Sequence, residues 1–322
     1  MRQAGRYLPE YLEVRKNIKS FLDLCYDPQK AAQVTLQPIE RFNMDAAIVF
    51  SDILVTADSL GIKVDFQEKI GPVLEKISDI SELEKITPQE DCLQFKQVAQ
   101  TIKIVKKAIP DKHLIGFIGG SWTVCAYILE GIGKTQFTNA IEKIYTDYSL
   151  VEKLIEIITI QNIYSLKAQI EAGASIVQIF ESHTGIVPEQ YREKLILEPT
   201  QKICHEIKKI YPEVKIIGFP RNGGYFYDKL IAETQIDIIG CDQYISLDKM
   251  KEWQKSKIVQ GNLDPLVLLS NKEKIKEKAE NILNHLDNNR LIFNLGHGVL
   301  PQTKPENVQF LVDLVKAWNQ KK

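Results

Sequence analysis

A carboxylate, hydroxyl or imidazole standing at the end of an apolar run needs donors, acceptors or a ligand, because burial penalises an unpartnered polar group. Several such places recur along this chain. Ser51 and Asp52 follow AAIVF; Glu181, Ser182 and His183 follow IVQIF; Cys241 and Asp242 follow IDIIG. Asn262 and Asp264 follow KIVQG, and His297 follows LIFNLG. Asp52, behind a very apolar run, reads as a shielded functional carboxylate, with a helix cap as the plainer alternative. His297 stands between Gly296 and Gly298, a setting that lets backbone approach a ligand closely. His183 beside Ser182 reads either as a site residue or as loop structure. His113 precedes a run and belongs at the opposite rim, while His205 and His285 fall inside helical patterns. Ser182, His297 and Asp52 are the residue types of a nucleophilic triad, but no GxSxG elbow accompanies them. Metal chemistry has little support: there is no HExxH, CxxC or close His-x-Cys pair, leaving only a distant His183 and Cys241.

The amino-terminal segment is the most unusual piece. The chain holds seven arginines among its 41 basic residues, and two of them, Arg2 and Arg6, fall inside MRQAGR. Arginine offers a planar fork matched to carboxylate or phosphate, which lysine does not reproduce. Four residues apart, the two share a face if the segment is helical. In a looser turn Gly5 lets them face inward, and the alternative is a solvated basic terminus.

The elements that would position these groups are short apolar runs at 46–50, 114–118, 175–180, 214–219, 236–239, 258–259 and 291–293. Between them, stretches such as 91–109, 136–172, 188–209, 272–286 and 304–320 carry apolar residues at three- and four-residue spacing. Strands apolar on both faces alternating with helices predict an α/β fold with a parallel sheet. Seven runs approach the eight of a (β/α)8 TIM-type barrel, where the polar run-ends converge on one mouth. Gly116, Gly119 and Gly120 are a weak phosphate-turn signal beside the reading of tight backbone packing, and neither GxGxxG nor GxxxxGK[ST] occurs. No linker or repeat divides residues 1–322, so one catalytic domain is expected. A formal charge of −1 excludes wholesale electrostatic binding to nucleic acid or an acidic membrane. Five widely spaced cysteines suggest a reducing compartment, and no run reaches the roughly 18 apolar residues of a membrane span. A cytoplasmic location with no leader is expected.

MRQAGRYLPEY at 1–11 resembles the signature of the uroporphyrinogen decarboxylase family. The likeness continues through FSDIL at 50–54, GSWTVCAYILEG at 120–131, FESHTG at 180–185, QGNLDP at 260–265 and NLGHG at 294–298. These segments stand in order and span essentially the whole chain. The resemblance implies one (β/α)8 barrel acting as a homodimer. It implies uroporphyrinogen III as substrate, coproporphyrinogen III as product, and neither cofactor nor metal. It makes Arg2, Arg6 and Asp52 catalytic, and Arg2, Arg6, Asp52, Tyr127, Ser182 and His297 substrate-binding. The strand-end pattern selects Asp52, Ser182 and His297 independently. Tyr127 comes from the resemblance alone.

Some positions depart from the family pattern. The signature begins at Met1, whereas family members usually carry a short preceding stretch that looks like a first strand; with seven runs counted, that strand is expected to be missing or incomplete. Ser121 replaces a proline, and Gln243 replaces a tryptophan after Asp242. Two other readings stand beside this one: an impaired, truncated relative that only binds porphyrinogen, and a zinc-using cobalamin-linked methyltransferase of the same superfamily, against which the intact arginine signature and the missing zinc spacing argue.

Overall fold

All seven apolar runs form strands of one parallel sheet. The computed structural model describes residues 5–67, 70–133 and 135–319. In chain order the strands are β1 (Ala46–Ile48), β2 (Val64–Gln67), β3 (Gly71–Leu74), β4 (His113–Gly119), β5 (Ile176–Glu181), β6 (Lys215–Pro220), β7 (Ile238–Gly240), β8 (Ile258–Leu263) and β9 (Leu291–Leu295). The large sheet runs β1-β4-β5-β6-β7-β8-β9, every ladder parallel, with helices between successive strands. Strands such as β6 and β8, buried at every position but the first, have no solvent face to alternate with, which is why they read as continuous apolar runs.

β1 and β9 are the two edges of this sheet, and no ladder joins them among the described residues. A cavity of about 160 Å³ lies between them, lined by Ile48, Ile115, Phe293 and Leu311 and by the amides of Gln178 and Gln260. Both glutamines are buried, and among the described residues neither Nε2 has a partner. The helix Pro305–Asn319 spans the opening, where Lys316 Nζ donates to the Asn43 carbonyl just before β1. Where the sequence predicts an eight-strand barrel, the described residues form a curled sheet of seven strands whose edges are not joined by a ladder.

Two long helical patterns are interrupted for local reasons. The stretch 136–172 divides into Thr138–Thr146 and Tyr148–Glu171, because Asp147 caps the second helix by accepting from Leu150 N at 3.3 Å. The stretch 188–209 contains a π turn at Glu193–Leu197, two residues before Pro199, whose nitrogen has no hydrogen to donate. The antiparallel hairpin β2–β3 has no strong pattern in the sequence. It matters here because Phe66 packs on Phe21 at 4.7 Å between ring centroids, and Phe21 in turn supports the mouth of the barrel.

Candidate active site

A cavity of about 370 Å³ opens at the carboxyl ends of the strands, where the polar run-ends meet. It brings together Arg6, Asp52, Tyr127, Ser182 and His297, with aromatic walls from Phe50, Phe117, Phe180 and Phe219. Arg2 lies outside the described residues. Gly5, beside Arg6, adopts a positive φ of 66° and fits against Leu8 and Pro38 so closely that a Cβ would stand 2.7 Å from Leu8 Cδ1. This turn aims Arg6 inward. The shared helical face imagined for Arg2 and Arg6 does not hold for Arg6, because the first helix starts only at Pro9, where proline presets the first turn.

The Arg6 guanidinium lies 4.4 Å from the Phe21 ring centroid and 5.7 Å from that of Phe50. Stacking on two aromatic faces holds a cation in place without consuming its hydrogen-bond donors. Its Nη2 stands 3.9 Å from Asp52 Oδ2. Asp52 is a cavity residue and not the helix cap: Oδ1 accepts from Leu54 N at 2.9 Å in a local turn before the helix Val55–Ser59, whose N-cap is Leu54, while Oδ2 turns toward the cavity. Burial pushes its pKa up, opposed by the Arg6 charge and by the Leu54 amide.

Tyr127 projects from the helix Ser121–Glu130 and meets Phe137 and His183 edge-on at 5.2 and 5.3 Å. Burial, followed by the Asp52 charge, raises its phenol to about 12, so it remains a neutral donor at physiological pH. His183 is pushed down to about 4 by burial and by the positive charge of Arg221, which keeps its imidazole neutral. Among the described residues its Nε2 is buried and unpartnered. His183 combines both roles weighed for it: its carbonyl accepts from Trp122 Nε1 at 3.2 Å, while the ring lines the cavity.

Glu181 accounts for the weak glycine signal. Its carboxylate sits at the amino end of the helix Ser121–Glu130, accepting from Thr123 N at 2.8 Å and from Thr123 Oγ1. A Cβ on Gly120 would fall 2.1 Å from Glu181 Oε2. The place at this helix terminus is therefore filled by the protein's own carboxyl group, and the phosphate-turn reading of Gly116, Gly119 and Gly120 gives way to close packing. Burial raises Glu181 to about 8.

Gly296 is likewise required by packing: a Cβ there would meet Gln243 N at 2.4 Å. The glycine before His297 accommodates a protein backbone and not a ligand, whereas Gly298 does line the cavity. The plainer reading also holds for Asp242, Asn262 and Asp264. Asp242 accepts from Asn222 N at 2.7 Å, Tyr227 OH at 3.0 Å and Tyr244 N at 2.9 Å. Asn262 Nδ2 donates to the carbonyls of Asp242 and Ile245, and Asp264 caps the short helix after β8. His113 is exposed at the amino end of β4, the rim away from the cavity. No group of three His, Cys, Asp or Glu side chains is placed to hold a metal among the described residues, so His183 and Cys241 gain no further ligand. No helix among them is long and apolar enough to cross a membrane.

One cavity residue is missed by the sequence reading. Arg221 follows β6 directly, and the strand-end rule applied to the run 214–219 points at it.

Comparison with known proteins adds an independent line. The URO-D family model, described as uroporphyrinogen decarboxylase, matches residues 1–318. A Rickettsia bellii protein named uroporphyrinogen decarboxylase is 47% identical over 322 residues, covering 100% of this chain and 94% of that protein. One of the same name from Rickettsia canadensis is 47% identical over 319 residues, covering 99% and 94%. Among solved structures, a methyltransferase from Methanosarcina mazei superposes with a TM-score of 0.79 at 21% identity, covering 96% of this chain and 90% of that one. A B12-independent methionine synthase from Shewanella sp. W3-18-1 gives 0.60 at 12% identity, covering 91% and 86%. At such identities these structures are similar in fold alone.

Proposed function

The chain belongs to the uroporphyrinogen decarboxylase family, and we propose that it removes carbon dioxide from the four acetate side chains of uroporphyrinogen III to give coproporphyrinogen III. The observation that carries this reading is the strand-end cavity in which a buried carboxylate, Asp52, faces a stacked guanidinium, Arg6, between aromatic walls. The substrate carries eight carboxylates around a ring of four pyrrole N–H groups. A basic fork and one acceptor carboxylate inside an apolar cavity match that pattern in a protein whose net charge is only −1.

The reaction follows from the electron-rich pyrrole, which serves as its own electron sink. A proton added to the ring carbon beside the acetate-bearing carbon makes an iminium-like cation. The bond to the carboxylate carbon then breaks, its electron pair flows into the ring as an exocyclic methylene forms, and carbon dioxide leaves. A proton delivered to that methylene gives the methyl group, and loss of the first proton restores the pyrrole. The net change is one proton taken up per carbon dioxide released, with no redox partner.

Asp52 accepts from the pyrrole N–H groups and stabilises the cation that forms, an interaction strongest in the transition state. Arg6 and Arg2 bind substrate carboxylates, and one of the two is a candidate proton donor. Tyr127, held neutral, donates to a peripheral carboxylate, while His297 and Ser182 position others. Exclusion of water from the aromatic cavity strengthens each of these contacts. We assign the chain one catalytic domain, a homodimer and the cytoplasm; the five cysteines, buried with no disulfide among the described residues, fit a reducing compartment.

Anaerobic turnover of uroporphyrinogen III by the purified chain tests the reading, with products separated by carboxyl number. A series descending from eight carboxyls to four is expected. Purified, folded protein that binds the substrate but yields no lower carboxyl number would contradict it.

A further inference from the structure

We propose that Arg221 is an additional carboxylate-binding residue of this cavity, holding one side-chain carboxylate of the porphyrinogen beside Tyr127 and His183. The inference rests on the decarboxylase reading above and extends it to a residue outside the family motifs. Six arginines are described, and five of their heads have polar partners. Arg6 faces Asp52; Arg41 makes a double contact with Glu10; Arg15, Arg192 and Arg290 donate to backbone carbonyls. Among the described residues the Arg221 head has neither a hydrogen bond nor an ion pair, and its Nε is buried without an acceptor. A permanently charged fork, partly shielded from water and lacking a protein anion, is built for an anion that arrives from outside.

The position of Arg221 is fixed before that anion arrives. Its N–H donates to the carbonyls of Glu181, at 3.0 Å, and Phe219, at 3.2 Å. The next residue, Asn222, sits at a φ of 57° with its N–H on the Asp242 carboxylate, which Tyr227 OH also engages. Arg192 Nη1 ties the following Gly223 carbonyl at 3.0 Å. The main chain that carries this cation is thus fixed in the cavity wall and need not reorganise on binding, which favours affinity and register over chemistry. Arg221, Tyr127 and His183 line the same cavity, with the Tyr127 and His183 rings 5.3 Å apart, and we assign the three to one subsite for a peripheral carboxylate.

The test compares wild type with Arg221→Gln and Arg221→Lys in anaerobic steady-state turnover of uroporphyrinogen III, with thermal unfolding measured alongside. For Arg221→Gln the expected result is a KM raised about tenfold or more, the loss of one charge-assisted contact, with kcat within a few-fold and the unfolding midpoint unchanged. Arg221→Lys should restore part of the KM. A glutamine variant with wild-type KM and product distribution overturns the assignment. So does a fall in kcat and unfolding midpoint together with KM unchanged. If the glutamine variant does not fold, a lysine variant with wild-type KM likewise overturns it, and a raised KM upholds it. Failure of wild type itself to decarboxylate would strike the underlying reading and not this residue alone.

Discussion

Asp52 answers two demands with its two oxygens: Oδ1 accepts from the Leu54 amide in a local turn and Oδ2 faces the cavity. Burial raises its pKa, so the ionised form is held at a cost in folding free energy, and stability falls as pH rises through the folded value. Asn keeps the oxygen that accepts from Leu54 N and removes the buried charge. Asp52→Asn should therefore unfold thermally at a midpoint equal to or above wild type, and a clear drop would contradict the burial argument. Glu181 carries the same sign more strongly, raised from 4.5 to about 8. Its contribution is full below 4.5 and lost as pH rises through about 8, on the order of a few kcal/mol. Urea midpoints followed across that window should decline, and Glu181→Gln should flatten the decline; an unchanged slope would remove Glu181 from the account. Asp52 was legible because a carboxylate directly after so apolar a run must meet a backbone donor or a ligand, and here it meets the first and faces the place of the second. Arg221 was not, although it directly follows β6, because Pro220 separates it from the apolar run 214–219, and its buried Nε, unpartnered among the described residues, becomes visible only in the structure.

At the scale of elements, helix Ser121–Glu130 carries Tyr127 into the cavity and is seated by the Glu181 carboxylate under Gly120. Gly120→Ala should cost at least about 2–4 kcal/mol in chemical denaturation, since a methyl would stand on that carboxylate. Gly61→Ala is the control: its φ is +83° but a Cβ there meets nothing within 4 Å, so about 1 kcal/mol is expected. Equal costs would mean that backbone strain, not the seating, sets the effect. The seven strands were readable because burial on both faces leaves unbroken apolar runs. The hairpin β2–β3 was not, because its short mixed sequence gains its meaning from Phe66 packing on Phe21, a contact between segments far apart in the chain. The break at Asp147 was visible only as a capping residue within an otherwise continuous helical pattern.

Across the whole molecule, the parallel sheet leaves β1 and β9 each bonded on one side among the described residues. Edge strands open more readily than strands bonded on both sides. Hydrogen exchange should therefore be faster at Ala46–Ile48 and Leu291–Leu295 than in β5, and equal protection would show that the seam is closed in solution. The alternation of runs and helices made the architecture legible, and the seven runs foretold the seven strands. The cavity between the edges was not legible, since it depends on which strands fail to meet. Asp52 and Ser182 reach the active cavity from β1 and β5, near one edge and within the sheet, and His297 reaches it from just beyond β9, the other edge.

The central claim is that a buried carboxylate stabilises a cationic pyrrole during decarboxylation, and Asp52→Asn tests it most directly. Turnover of uroporphyrinogen III should fall about 100-fold or more, while binding of the substrate changes only a few-fold. A variant that keeps near-wild-type turnover, or loses binding in proportion to rate, would contradict it.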